Sequence, residues 1–74
     1  MPKLYSSREV IKAFKRAGFV EVSQKGSHLK MKGFWDGKLQ TVIIPRHKQI
    51  AFGTFQSILD QASMTKLEFE GFLR

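Results

Sequence analysis

Cysteine is absent from this 74-residue chain, and its acids number only six. Without thiols there is neither a disulfide framework nor a thiolate metal site, and the expected setting is a reducing cytoplasm. Long hydrophobic runs are missing too: Val42-Ile43-Ile44 is the longest aliphatic stretch, far below the roughly 20 residues that span a bilayer. The opening MPKLYSSREV has no apolar core of a secretory leader, so neither membrane attachment nor export is expected. Six scattered acids leave little from which to build a metal-carboxylate nuclease. No glycine-rich phosphate loop and no Ser/His/Asp arrangement stands out. Neither a metal nor a cofactor is expected.

What the chain does have is positive charge and aromatic rings. Thirteen Lys and Arg give a formal net charge of +7, and seven Phe, one Trp and one Tyr are too many for a disordered tail. The length fits one domain, residues 1–74, with a small core. The charge is uneven. Residues 1–48 hold 11 Lys and Arg against three acids, whereas residues 49–74 hold two against three. A field concentrated on part of a small domain usually meets a polyanion, above all nucleic acid. A general solubility charge is the plainer alternative.

Local signals give the order of elements. Ser6-Ser7-Arg8-Glu9 reads as a capping box opening a helix. Val10, Ile11, Phe14 and Ala17 fall on one face of it, and Gly18 ends it. The other side carries Arg8, Lys12, Lys15 and Arg16, which repel one another at helical spacing. This stripe is either a phosphate contact or plain solvated surface. Three strands follow. The first is expected over 19–24, with Val20 and Val22 sharing a face. A turn at Lys25-Gly26 leads to the second, 27–32. There Leu29 and Met31 point one way, and His28, Lys30 and Lys32 the other. Asp36-Gly37 is a hairpin signal before the third strand, 39–44, where Leu39 and Ile43 compete with Val42 and Ile44 for the buried face. Thr54 is expected to cap a second helix through Phe55, Ile58, Leu59 and Ala62. Thr65 and Glu68 form a second capping box before a short last helix bearing Phe69, Phe72 and Leu73. The fold class is α+β: an αβββα, double-stranded-RNA-binding-like layout. Its three-stranded antiparallel sheet carries helices on one face, followed by a short C-terminal helix.

Two histidines carry the chemical possibilities. His28 stands in a polar row among lysines, and an imidazole is the side chain best suited to moving protons near neutral pH. Among cations that hold a phosphodiester, it could deprotonate a ribose 2′-hydroxyl or protonate a leaving 5′-oxygen, with lysines stabilising the phosphorane charge. A histidine on a basic strand can equally be an ordinary surface residue.

The string Lys25-Gly26-Ser27-His28-Leu29-Lys30-Met31 resembles the G-S-H signature of HicA-type mRNA interferase toxins of type II toxin-antitoxin systems. The strand end Val42-Ile43-Ile44-Pro45-Arg46-His47 is similar to that family's P-x-H element. Gly53-Thr54-Phe55-Gln56-Ser57-Ile58-Leu59-Asp60-Gln61-Ala62 resembles its G-T-x-x-S-I-L-x-Q-A helix. The segment from Val10 to Phe19 looks like its first helix and exit. Ser63 departs from the pattern, since the family often has glycine there. The resemblance implies a double-stranded-RNA-binding-like fold that cleaves mRNA, with His28 as the catalytic residue. It also implies a HicB-type antitoxin, expected to cover the His28 face. It leaves His47 as either a loop-packing residue or a second phosphate contact.

Taken together, the expected function is a metal-independent endoribonuclease acting on single-stranded mRNA. His28 is the general acid or base, and Lys25, Ser27, Lys30, Lys32, Arg8, Lys12, Lys15 and Arg16 hold the RNA. The alternative is a noncatalytic RNA-binding module of the same fold, gripping duplexes by shape and phosphate contacts.

Overall fold

The computed structural model describes residues 3–73; Met1, Pro2 and Arg74, the last counted in the charge above, lie outside them. The elements run α1 (Ser7–Arg16), β1 (Val20–Lys25), β2 (His28–Trp35), β3 (Lys38–Pro45), α2 (Phe52–Ala62) and α3 (Lys66–Gly71). The strands form one antiparallel sheet in the order β1-β2-β3. The expected αβββα arrangement with its short third helix is therefore present. No helix among the described residues is long and apolar enough to cross a membrane.

Helix α1 starts where the sequence places it. The Ser6 hydroxyl accepts the Glu9 N–H at 3.1 Å, and the Glu9 carboxylate accepts the Ser6 N–H at 3.0 Å. That backbone hydrogen bond is the chief reason the Glu9 carboxyl sits below its ordinary value. At the far end Gly18, at φ 100°, lets the Phe19 N–H reach back to the Phe14 carbonyl at 2.9 Å. The Phe14 and Phe19 rings then meet edge to face at 4.9 Å, so the helix stop is also a piece of core.

Both hairpins are two-residue loops. Lys25 pairs with His28 and Trp35 with Lys38. In the second loop Asp36 and Gly37 both take positive φ, at 53° and 78°, the type I′ geometry that matches strand twist. In the first, the turn is Gly26-Ser27 and β2 begins at His28, one residue later than the sequence suggests.

The helices cover one sheet face. Leu29 and Met31 of β2 and Val42 and Ile44 of β3 are fully buried beneath Val10, Phe14, Phe55, Ile58 and Leu59. This settles β3: Leu39 and Ile43 turn to the open face, because the ladder sets Met31 opposite Val42 and Leu29 opposite Ile44. Phe69 closes the core from α3, with Tyr5 and Phe55 rings around it at 5.3 and 5.0 Å.

Two further expectations need correction. Helix α2 begins earlier than Thr54: its N-cap is Ala51, with no side-chain cap, and Thr54 lies inside the first turn. Val20 and Val22 do not form a buried pair, since every residue of β1 is exposed. Strand β1 is the free edge of the sheet, and its ladder is interrupted at Val22, which has no residue opposite it between the Glu21–Met31 and Ser23–Lys30 pairs. On the other side of the sheet, Gln61 of α2 accepts the outward Ile43 N–H of β3 at 2.8 Å.

Candidate nucleic-acid interface

The bulge at Val22 arranges the open sheet face. Strict alternation from Val20 would send Ser23 and Lys25 to the helix side. One extra residue resets the phase, so Ser23 stands across from Lys30, and Lys25 across from His28. Directly opposed residues share a face with Cβ atoms about 5 Å apart. Further pairs on the same side set Lys30 opposite Ile43, Lys32 opposite Thr41 and Val20, and Phe34 opposite Leu39. The strand residues directed to this side include three lysines and no acid.

His28, Lys25, Lys30, Ser23 and Ile43 line one shallow depression on that face. The His28 side chain is exposed, and no described residue hydrogen-bonds its imidazole. The chain just before His28 is held at the hairpin mouth, where the Ser27 carbonyl accepts the Arg46 N–H at 2.6 Å. Ser27 itself occupies the exposed turn. No three His, Asp or Glu among the described residues come together as a possible metal site.

The remaining expected contacts lie elsewhere. Arg8, Lys12 and Lys15 of α1 line a groove on the helix layer together with Glu21 and Arg46. Glu21 is on the helix side of β1, opposite Met31. It holds Lys15 at 2.8 Å and Arg46 at 3.9 Å, and the Lys15 hydrogen bond keeps its carboxyl below the usual range. Arg46 also donates from Nε to the Gln24 side chain at 2.8 Å. Arg16 is directed to the C-terminal segment, where it donates to the Phe72 carbonyl at 3.0 Å. The candidate set thus divides into a His28 cluster on the open face and an Arg8, Lys12 and Lys15 cluster by the β1 edge, with Arg16 apart from both.

His47 anchors its loop through the backbone. Its carbonyl accepts the Ser7 N–H at 3.0 Å, occupying a donor at the start of α1, while the side chain is exposed. Arg46 was not singled out from the sequence as a site residue, and only its contacts with Glu21 and Gln24 reveal its place. Ser23 was missed because nothing in the local string announces the bulge.

A one-sided helix layer over an open, cationic, histidine-bearing sheet defines a small α+β domain of double-stranded-RNA-binding-like architecture. The chain belongs to the HicA toxin family of bacterial toxin-antitoxin systems, whose pattern matches residues 7–64. The matched span runs from the first residue of α1 to the exit of α2 and includes Gly26-Ser27-His28. Cleavage of mRNA is the general role of that family, and its members are paired with an antitoxin. Among curated proteins no match to the chain is found.

Proposed function

We propose that residues 1–74 form a single metal-independent endoribonuclease domain that cuts single-stranded mRNA at His28. The observation that carries this is the placement of an exposed imidazole directly across the ladder from Lys25, with Lys30 two residues along the same face. A phosphodiester laid over the depression meets two ammonium groups and one proton-transfer group at once. Such a set suits transesterification. The imidazole takes the 2′-hydroxyl proton as the 2′-oxygen bonds to phosphorus. The bond from phosphorus to the 5′-oxygen then breaks, and that oxygen gains a proton from the imidazolium or from water. The products are a cyclic phosphate and a free 5′-hydroxyl. Lys25 and Lys30 stabilise the extra negative charge on the phosphorane, where fixed cations contribute most.

Lys32 continues the cationic row, and Ser27 is available at the turn for a further phosphate contact. Arg8, Lys12 and Lys15 would bind RNA running beyond the β1 edge, and Arg16 a strand that continues toward the C-terminal segment. The antitoxin is a HicB-type protein that lies over His28, Lys30 and Lys32. An acidic partner blocks a short cationic face directly and associates fast at low salt.

The test is incubation of end-labelled single-stranded RNA with the protein in excess chelator. Fragments ending in cyclic phosphate, lost in His28→Ala, are the expected result. A mobility shift with intact RNA would make the protein a binding module instead.

A further inference from the structure

The far end of the open face is apolar. Phe34 is 74% exposed and Leu39, its cross-strand partner, 56%; Val20, in the next row beside Lys32, is 60% exposed. Adjacent Trp35 turns the other way and packs edge to face on Phe72 at 5.5 Å, so it belongs to the structural side of the sheet. Phe34 has no such role, since it holds nothing in the core and lies open on the same face as His28.

We propose that Phe34, set against Leu39, is a base-stacking platform that fixes a nucleotide of the single-stranded RNA at a set distance from the cleaved bond. The proposal rests on RNA being the ligand of the His28 face. His28 and Phe34 lie on the same face of one strand, six residues apart, or about 20 Å at the strand rise. A few extended nucleotides span that distance. Between them the face presents Lys30 and Lys32, with Thr41 beside Lys32. The order is proton-transfer group, two cations, aromatic ring. Single-strand binders combine the same elements, with cations tracking the backbone and an aromatic ring taking the face of a base.

Charge favours RNA over an apolar peptide as the occupant. The apolar end is continuous with a row of lysines on a strand face that holds no acid. A ligand covering both must offer negative charge and flat apolar surface together, and a polynucleotide offers both in every unit. Stacking of this kind tolerates any base, so it fixes the spacing between the stacked nucleotide and the cut bond without selecting a sequence.

The experiment uses the full chain carrying His28→Ala, which removes cleavage, and short RNAs containing one 2-aminopurine at successive positions. Fluorescence should be quenched most strongly at one position, a few nucleotides from the scissile bond located with the wild-type protein. Adding Phe34→Ala should abolish that quench and weaken binding about 5- to 150-fold. Phe34→Leu, which keeps apolar surface without a ring, should lose the quench as well, while Phe34→Trp should retain it. Thermal melts of each variant check that the fold is intact. RNA binding that is indifferent to Phe34 overturns the stacking proposal alone. Failure of every variant to bind RNA, lysines intact, overturns the proposed function and this proposal with it.

Discussion

Gly33 lies against Phe19 more closely than any side chain at position 33 would allow: a Cβ there would stand 2.7 Å from the Phe19 ring and 2.8 Å from its Cα. Because the neighbour includes backbone, rotation of the ring cannot relieve the clash. Gly33→Ala is therefore expected to destabilise the fold by about 1–3 kcal/mol, the usual cost of overpacking. The midpoint of chemical denaturation measures it, and an unchanged midpoint would mean that Phe19 and α1 yield easily.

His28→Ala removes an exposed side chain and opens no cavity, so stability should change by no more than about 0.5 kcal/mol. The rate of RNA cleavage should fall by roughly 10²–10⁴, the usual contribution of a positioned proton-transfer group. RNA affinity should persist, because the lysines supply the attraction. His47→Ala serves as a control and should leave measurable cleavage, since the loop contact of His47 runs through its carbonyl. A His28 variant that cuts at nearly the wild-type rate would remove the catalytic assignment.

The division of the basic residues into two clusters has its own signature in salt. Replacing Lys25, Lys30 and Lys32 with Gln should flatten the log–log dependence of RNA affinity on salt by about 0.7 per lost contact. A short oligonucleotide should respond to that set alone. A longer one should respond to Arg8 and Lys12 as well, because they line the groove beyond the β1 edge. Equal responses of short and long RNAs to the α1 substitutions would contradict the separation.

Ser63 occupies the left-handed conformation at the exit of α2, φ 56° and ψ 38°. The Met64 N–H reaches back from it to the Leu59 carbonyl at 3.0 Å. Gly18 does the same service for α1 without a side-chain penalty. Ser63→Gly should therefore stabilise the protein by about 1 kcal/mol, most of the left-handed penalty of an L-residue. A lower melting temperature for the variant would show that the Ser63 side chain makes up the difference.

The capping box of α1 makes stability depend on acid. Glu9 is held below its ordinary value of 4.5, first by the Ser6 N–H and then by Lys3. A carboxyl depressed by folding contributes stability that is fully present above its unfolded value and lost as pH falls through its folded one. The melting temperature of wild type should thus exceed that of Glu9→Gln at neutral pH. The gap should close below about pH 4 as Glu9 takes up its proton. A gap independent of pH would place the effect in shape rather than charge.

Signals confined to a few adjacent residues were readable from sequence. Ser6 and Glu9, Thr65 and Glu68, and the Asp36-Gly37 turn each act within a span of four residues or fewer, and each is where it was expected. Features that depend on a partner strand or helix were not readable. Val42 and Ile44 won the buried face of β3 only through their register with Met31 and Leu29. Val20 and Val22 alternate like a half-buried strand, yet the bulge and the edge position leave both exposed. Thr54 looked like a cap because it precedes the apolar pattern, but the backbone had already turned helical at Phe52. Within the candidate site, the His28-Lys30-Lys32 alternation was visible in the string. The pairing of Lys25 with His28, and the distance of the α1 stripe from both, emerge only from the folded sheet.

The hydrogen bond from Ile43 to Gln61 has a consequence for how copies of this chain can join. Strand-by-strand polymerisation needs two usable edges on every unit, one to receive and one to offer. Here the β3 side has a backbone donor already engaged by α2, which breaks the regular row a foreign strand would need. A strand added at β3 would have to displace this bond, which disfavours pairing at that edge and works against propagation into a fibre.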